Sequence, residues 1–195
     1  MYDSFVLEDE SVIVFEYVRG PNLSQKRASS EPTISECAYM GISASKSLKA
    51  MHKLGILHRD IHPSNLLYTG GGVKLVDFGL SSLEDFLDLK ESKQRVGILS
   101  YTAAESIKKG LYFPDSDVHA LGCTLYFLLV GKLAFGEGNE ATIKKCITGF
   151  RILPPAHERP EVPERLSGLI LDMVRPKIDD RPNLDEVIAG LEPYI

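Results

Sequence analysis

Two short apolar runs open the chain, residues 4–7 and residues 11–18, on either side of an acidic turn at Glu8-Asp9-Glu10. Together they predict a β-hairpin. The second run carries four apolar residues in succession, Val12, Ile13, Val14 and Phe15, which predicts a central strand covered on both faces. Beyond Gly20 the spacing turns helical. Thr33 and Glu36 stand at capping-box distance ahead of a helix predicted over residues 34–54, with Ile34, Ala38, Ile42, Leu48 and Met51 facing inward. Residues 66–68 and 73–77 form two further short strands joined through Gly70-Gly71-Gly72. No helix follows those glycines at P-loop spacing and no Gly-Lys-Ser/Thr is present, so they predict a turn and not a phosphate cradle.

Residues 80–115 show little periodicity, and so long a stretch inside a compact domain marks a functional loop. Residues 116–130 are apolar nearly all round, which predicts a buried central helix stopped by Gly131. Residues 139–147 are amphipathic, Leu166, Leu169, Ile170 and Met173 recur at helical spacing, and Asn183 with Glu186 caps a last helix reaching Leu191. The expected class is α+β, a small β element followed by a helical body. No repeat, low-complexity tract or linker divides the chain, so one domain is expected.

Composition narrows the partners. With 44% hydrophobic and 25% charged residues, the 195-residue chain has the profile of a globular protein with its own core. Twenty-two basic against 27 acidic residues leave a net charge of −5, which argues against nucleic acid or an anionic membrane. The longest apolar run, residues 120–130, is too short to span a bilayer, and no basic segment precedes an apolar core at the N-terminus. A cytoplasmic location is therefore expected. Cys37, Cys123 and Cys146 are far apart and form no Cys-x-x-Cys pair, so they read as reduced thiols and not as a disulfide framework or zinc site.

The strongest chemical signal is His58-Arg59-Asp60, then Asn65 five residues after the aspartate, then Asp77-Phe78-Gly79 beyond the second hairpin. Phosphoryl transfer is mostly positioning and charge neutralisation, and carboxylate and amide oxygens suit Mg²⁺. This order resembles the catalytic and metal-binding loops of the eukaryotic-type protein kinase family. The resemblance implies a protein-kinase-like fold in which Asn65 and Asp77 hold Mg²⁺. It also implies that Asp60 takes or orients the proton of the attacking hydroxyl, and that His58 packs behind Phe78. Phe15-Glu16-Tyr17-Val18 is similar to the family's hinge, so the Glu16 carbonyl and the Val18 backbone would meet the adenine edge of ATP, with Leu67 beneath its ring. Ala103-Ala104-Glu105 resembles the Ala-Pro-Glu that closes the activation segment, which implies a Glu105–Arg181 pair. Asp117 resembles the aspartate that holds the backbone of the catalytic loop.

Several positions depart from the family pattern. His62 stands where serine/threonine kinases usually carry a lysine on the transferring phosphate, which makes it a candidate catalytic residue of weaker charge. Gly97-Ile98 replaces the usual Gly-Thr. Residues 1–25 contain one glycine, Gly20, and one basic residue, Arg19, so the glycine-rich loop, the strand lysine and its helix glutamate have no counterpart. On this resemblance residues 1–20 are the remnant of a small lobe with its hinge, residues 21–195 are the helical large lobe, and the small-lobe face is open to a partner. The implied function is transfer of the ATP γ-phosphate to a protein serine or threonine hydroxyl, slow or absent in this chain alone. The serine/threonine type follows from Pro63 and from the lack of the arginine-containing loop of tyrosine kinases. Two alternatives stand beside it: a binding or scaffold module with a kinase fold, and a small-molecule phosphotransferase of the aminoglycoside and choline kinase type, suggested by His62-Pro63 with Asn65. Arg59 resembles the residue of kinases switched by an activation-segment phosphate, with Ser92, Ser100, Tyr101 and Thr102 as candidate acceptors. Asn22-Leu23-Ser24 is a glycosylation sequon that reads as incidental without a secretory signal.

Overall fold

In the computed structural model, which describes residues 3–7, 10–83 and 98–195, the chain opens on an antiparallel ribbon. Strands β1 (Asp3–Leu7) and β2 (Glu10–Val14) pair with Asp3 opposite Val14 and Leu7 opposite Glu10. The turn at Glu8 and Asp9 lies outside the described residues. β2 ends four residues before the predicted limit, and Phe15 to Val18 run on without strand partners. Nor is β2 a strand buried on both faces: among the described residues each of the two strands pairs only with the other, and Phe5 (46% exposed), Val6 (71%) and Val14 (37%) stay in water. Burial on both faces needs layers above and below the sheet. A run of apolar residues cannot supply them by itself.

The ribbon feeds a short helix that periodicity did not reveal, α1 (Leu23–Ser29). Asn22 is its N-cap: Asn22 Oδ1 accepts from the Gln25 amide at 2.8 Å and Gln25 Oε1 accepts from the Asn22 amide at 3.0 Å. The sequon is thus a capping box. Helix α2 (Ile34–His52) begins at the predicted Thr33–Glu36 capping box and buries Ala38, Ile42 and Leu48, while Met51 is half-buried. Strand β3 (Ile56–Leu57) follows, then β4 (Leu66–Tyr68) paired with β5 (Val73–Leu75) around the glycine turn. β5 stops two residues before Asp77 because the chain turns out of the ladder there, with Asp77 at φ 64°.

The stretch predicted to be loop contains ordered elements. β6 (Ser82–Leu83) pairs with β3, a 3₁₀ turn covers Leu99–Tyr101, and α3 (Ala104–Lys109) stops at Gly110 with φ 70°. Residues 84–97, with Ser92 and Gly97, lie outside the described residues. Helix α4 (Pro114–Val130) starts two residues before the predicted point because a proline can occupy the first helical position, where its missing N–H costs nothing. It is buried from Ser116 to Tyr126 without a break and ends at Gly131 with φ 78°. Helices α5 (Glu140–Thr148), α6 (Pro155–Glu158), α7 (Glu164–Met173) and α8 (Leu184–Leu191) complete the body. The core lies where α4 packs against α2 and α7, with α8 closing over α2. Among the described residues no helix is long and apolar enough to cross a membrane. All three cysteines are unpaired, and burial pushes the Cys37 thiol up to about 12.

His119 sits at the centre of this core, its ring stacked on Phe135 at 5.8 Å and its Nε2 3.6 Å from Cys123 Sγ. Burial, reinforced by the charge of Arg181, lowers its pKa from 6.5 to about 3. Burial moves His58 in the same direction. Below about pH 6.5 the unfolded chain therefore binds protons that the folded chain refuses, and stability falls as pH falls toward 3. Urea unfolding at pH 7.5 and pH 5 is expected to differ by about 2 kcal/mol from His119 alone. His119→Gln removes that share of the slope.

Candidate active site

The loop between β3 and β4 carries His58, Arg59, Asp60, His62 and Asn65, and α4 holds it in place. Asp117, buried in the first turn of α4, accepts from the His58 amide at 3.0 Å and from His52 Nε2 at 2.8 Å on Oδ2, and from the Arg59 amide at 2.9 Å on Oδ1. These bonds hold Arg59 at φ 68°, a left-handed conformation uncommon for a residue other than glycine. The Arg59 guanidinium then lies 4.4 Å from the centre of the Tyr112 ring. The His58 ring is fully buried and meets Phe78 at 5.4 Å between centroids, and Phe78 in turn stacks on Phe15 at 6.2 Å.

Asp60 and Asn65 meet directly. Asn65 Nδ2 donates to the Asp60 carbonyl and to Asp60 Oδ2, both at 3.0 Å, which turns Asn65 Oδ1 away from Asp60. The Asn65 carbonyl accepts from the Val76 amide at 3.0 Å, so the residue before Asp77 is pinned to the end of the loop that carries Asp60. Asp77 is exposed there, with Oδ1 accepting from the Gly79 amide at 3.3 Å. Asp60 Oδ1 is buried and has no hydrogen-bond partner among the described residues.

His62 is buried beside this group. Its Nδ1 accepts from the Ser64 amide at 3.3 Å, so the ring proton resides on Nε2, which lies 3.5 Å from Asp60 Oδ2. The ring is 6.0 Å from that of Tyr101. In this arrangement His62 caps the turn Pro63–Asn65 and faces Asp60.

A cleft of about 720 Å³, the size of a small-molecule site, opens beside the loop, with Phe15, Glu16, Tyr17 and Val18 on one wall, Leu67, Leu75 and Val76 on the floor, and Asp77 to Gly79 at one end. It brings Glu16, Val18, Leu67 and Asp77 together; Asn65 and His62 sit beneath its end and not in its lining. Gly20 lets the hinge stretch close down on the hairpin, since a Cβ there would lie 2.0 Å from the Tyr68 carbonyl oxygen and φ is 147°. The donor set of Asn65 Oδ1 and the Asp77 carboxylate is hard oxygen, which suits Mg²⁺ shared with substrate phosphates. No group of three or more His, Cys, Asp or Glu side chains among the described residues could hold a metal without such help.

The outer anchor is as expected. Arg181 donates to both oxygens of Glu105, at 2.8 and 2.7 Å, and also to the carbonyls of Asp115 and Arg175, while Ser116 Oγ donates to Glu105 at 2.7 Å. Burial works to raise the Glu105 pKa, but the bonds and charge of Arg181 outweigh it and hold the carboxyl below its ordinary range. The candidate acceptor hydroxyls among the described residues are not displayed to solvent. Ser100 (8% exposed) and Thr102 (7%) are buried, Thr102 Oγ1 donates to the Ile98 carbonyl, and burial raises the pKa of the half-buried Tyr101 phenol. The turn that carries them packs on α4. Ser92 lies outside the described residues.

A helical body with a β ribbon, a hinge-walled cleft and this loop constellation is a kinase-like α+β fold. Residues 1–192 match the protein kinase domain family, and the chain belongs to it. Members of that family use ATP and a divalent cation. A probable serine/threonine-protein kinase of Clostridium perfringens is 29% identical over 188 residues, covering 95% of this chain and 27% of that protein. Serine/threonine-protein kinase PkaA of Streptomyces coelicolor is 31% identical over 193 residues, 95% of this chain and 35% of that protein. Tyrosine-protein kinase MasK of Myxococcus xanthus is 31% identical over 149 residues, 75% of this chain and 23% of that protein. The chain spans about a quarter to a third of the length of these relatives.

Proposed function

We propose that the chain carries the catalytic loop, metal ligands and purine site of a protein serine/threonine kinase. Residues 1–20 form the ribbon and hinge, and residues 21–195 the large lobe. The observation that carries this reading is the Asp60–Asn65–Val76 chain of hydrogen bonds, which ends one residue before Asp77 and leaves Asp60 Oδ1 without a hydrogen-bond partner among the described residues. Asn65 Nδ2 fixes one oxygen of Asp60, so the other is free to accept the proton of a substrate hydroxyl. His62 Nε2 faces the same carboxylate and orients it. Asn65 and Asp77 would hold Mg²⁺, which supplies charge neutralisation on the phosphates of ATP. The Glu16 carbonyl and the Val18 backbone serve the purine edge, above Leu67.

The serine/threonine type rests on Pro63 and on the names of two of the three relatives above. The Glu105–Arg181 anchor and the Asp117 bonds support a protein substrate over a small-molecule one, since they belong to the resemblance with protein kinases alone. His62 stands where a lysine would bring a full charge to the transferring phosphate, and a missing preorganised charge typically costs about 3–4 kcal/mol of barrier, so transfer is slow.

The test is incubation of the 195-residue chain with labelled ATP, Mg²⁺ and a peptide mixture offering serine, threonine and tyrosine, followed by phosphoamino acid analysis. Slow formation of phosphoserine and phosphothreonine is expected, lowered about 100-fold or more by Asp60→Asn. Phosphotyrosine alone would contradict the type. Nucleotide binding without any transfer would favour the scaffold reading.

A further inference from the structure

Lys74 on β5 stands directly opposite Leu67 on β4, so the two side chains leave the hairpin on the same face, the one that floors the cleft. Its Nζ reaches both carboxylate oxygens of Glu16, at 2.6 and 2.7 Å. Glu16 belongs to the stretch from Phe15 to Val18, which has no strand partner among the described residues. One end of that stretch is held by the Phe15–Phe78 stack, and the other by the close approach of Gly20 to Tyr68, where the Tyr68 amide donates to the Pro21 carbonyl at 2.9 Å. Between these ends the Glu16–Lys74 pair ties the hinge to the floor. Lys74 precedes Asp77 by three residues, about 10 Å along extended chain, which places it at the purine end of the cleft and away from the metal end.

We infer that the Glu16–Lys74 ion pair is a latch that sets the height of the hinge backbone above Leu67 and so the purine affinity of the cleft. This rests on the nucleotide site proposed above. Both side chains are positioning residues: they act on the base through the Glu16 carbonyl and the Val18 backbone, whose hydrogen bonds weaken steeply with distance and angle. The pair is half-exposed, 46% at Lys74 and 53% at Glu16. An exposed pair adds little to global stability, and it is screened by salt. Adenosine carries no charge, so ionic strength can reach its binding only through a charged pair such as this one.

The test is calorimetric titration of the 195-residue chain with adenosine, which occupies the purine end, and with Mg²⁺–tripolyphosphate, which occupies the metal end. Lys74→Gln and Glu16→Gln are each expected to weaken adenosine about three- to fivefold at low salt, with tripolyphosphate unaffected. High salt should weaken adenosine in the unsubstituted chain and change nothing further in either variant. The charge swap Glu16→Lys with Lys74→Glu should restore both the affinity and its salt dependence. Adenosine affinity unchanged in the single variants, or a loss that the swap fails to restore, overturns the latch alone. An unsubstituted chain that binds neither ligand overturns the nucleotide site, and the latch with it.

Discussion

Arg181→Ala is expected to lower stability by about 3–5 kcal/mol, the cost of leaving a buried charge without its partner. The Arg181 side chain is 0% exposed and that of Glu105 only 9%, and the guanidinium satisfies both Glu105 oxygens as well as backbone carbonyls on either side of it. After truncation Glu105 keeps Ser116 as its one described side-chain partner. In a chain of this length the loss corresponds to a fall in Tm of roughly 10 °C, which calorimetry reads directly. Arg181→Lys retains the charge but not the fork and should fall between the two. Replacing both partners, Arg181→Met with Glu105→Leu, should recover much of the loss. Because the Glu105 pKa is lowered in the fold, the pair's contribution is present above the ordinary carboxylate range and disappears as pH falls through the lowered value. A loss below about 1 kcal/mol in Arg181→Ala would mean that the pair behaves as a surface contact.

Asp117→Ala should act on stability and chemistry at once. The carboxylate is the acceptor for the His58 and Arg59 amides and for His52 Nε2. Each buried donor left without an acceptor costs about 1–3 kcal/mol, so a loss of about 3 kcal/mol or more is expected. The two amides also hold Arg59 in its left-handed conformation. Once they are released the loop relaxes, and Asp60 moves off the position that Asn65 and His62 define. Phosphoryl transfer should therefore fall by more than the change in folded population explains. Hydrogen exchange checks the cause: the His58 and Arg59 amides should lose protection in Asp117→Ala under conditions where α7 keeps its own. Protection unchanged at those two amides would contradict the role given to Asp117.

How much of this was legible depended on whether a residue's type fixes its surroundings. α2 and α8 could be read because Thr33–Glu36 and Asn183–Glu186 are capping pairs followed by helical spacing, and α4 because its apolar surface has a hard stop at Gly131. α1 and α3 have seven and six residues, too few for a period to emerge. α1 is started by its own Asn22–Gln25 capping box, whereas α3 is held from outside by the pair of Glu105 with Arg181. The apolar run at Val12 to Phe15 was misleading because it reports hydrophobicity and not the layers that would cover it. Ser100 and Thr102 looked like loop hydroxyls, and only the packing of their turn on α4 buries them.

The candidate site divides in the same way. Asp60, Asn65 and Asp77 are legible as candidates by order and type, since few side chains suit a metal-assisted transfer. The left-handed backbone at Arg59 and Asp77 left no trace, because neither is a glycine. Lys74 lies 58 positions from Glu16 and belongs to no motif, so their pairing emerges only when the hinge folds over the hairpin.

A divalent ion linking the triphosphate to Asp77 is the central requirement of the proposed nucleotide site. Titrating the chain with ATP in the presence of Mg²⁺ and then of a chelator, with Asp77→Asn in parallel, measures that linkage. Mg²⁺ is predicted to tighten ATP about tenfold or more in the unsubstituted chain, and to make no difference in Asp77→Asn, whose affinity for adenosine stays the same. Equal ATP affinity with and without Mg²⁺ in the unsubstituted chain, or full retention of the Mg²⁺ effect in Asp77→Asn, would contradict it.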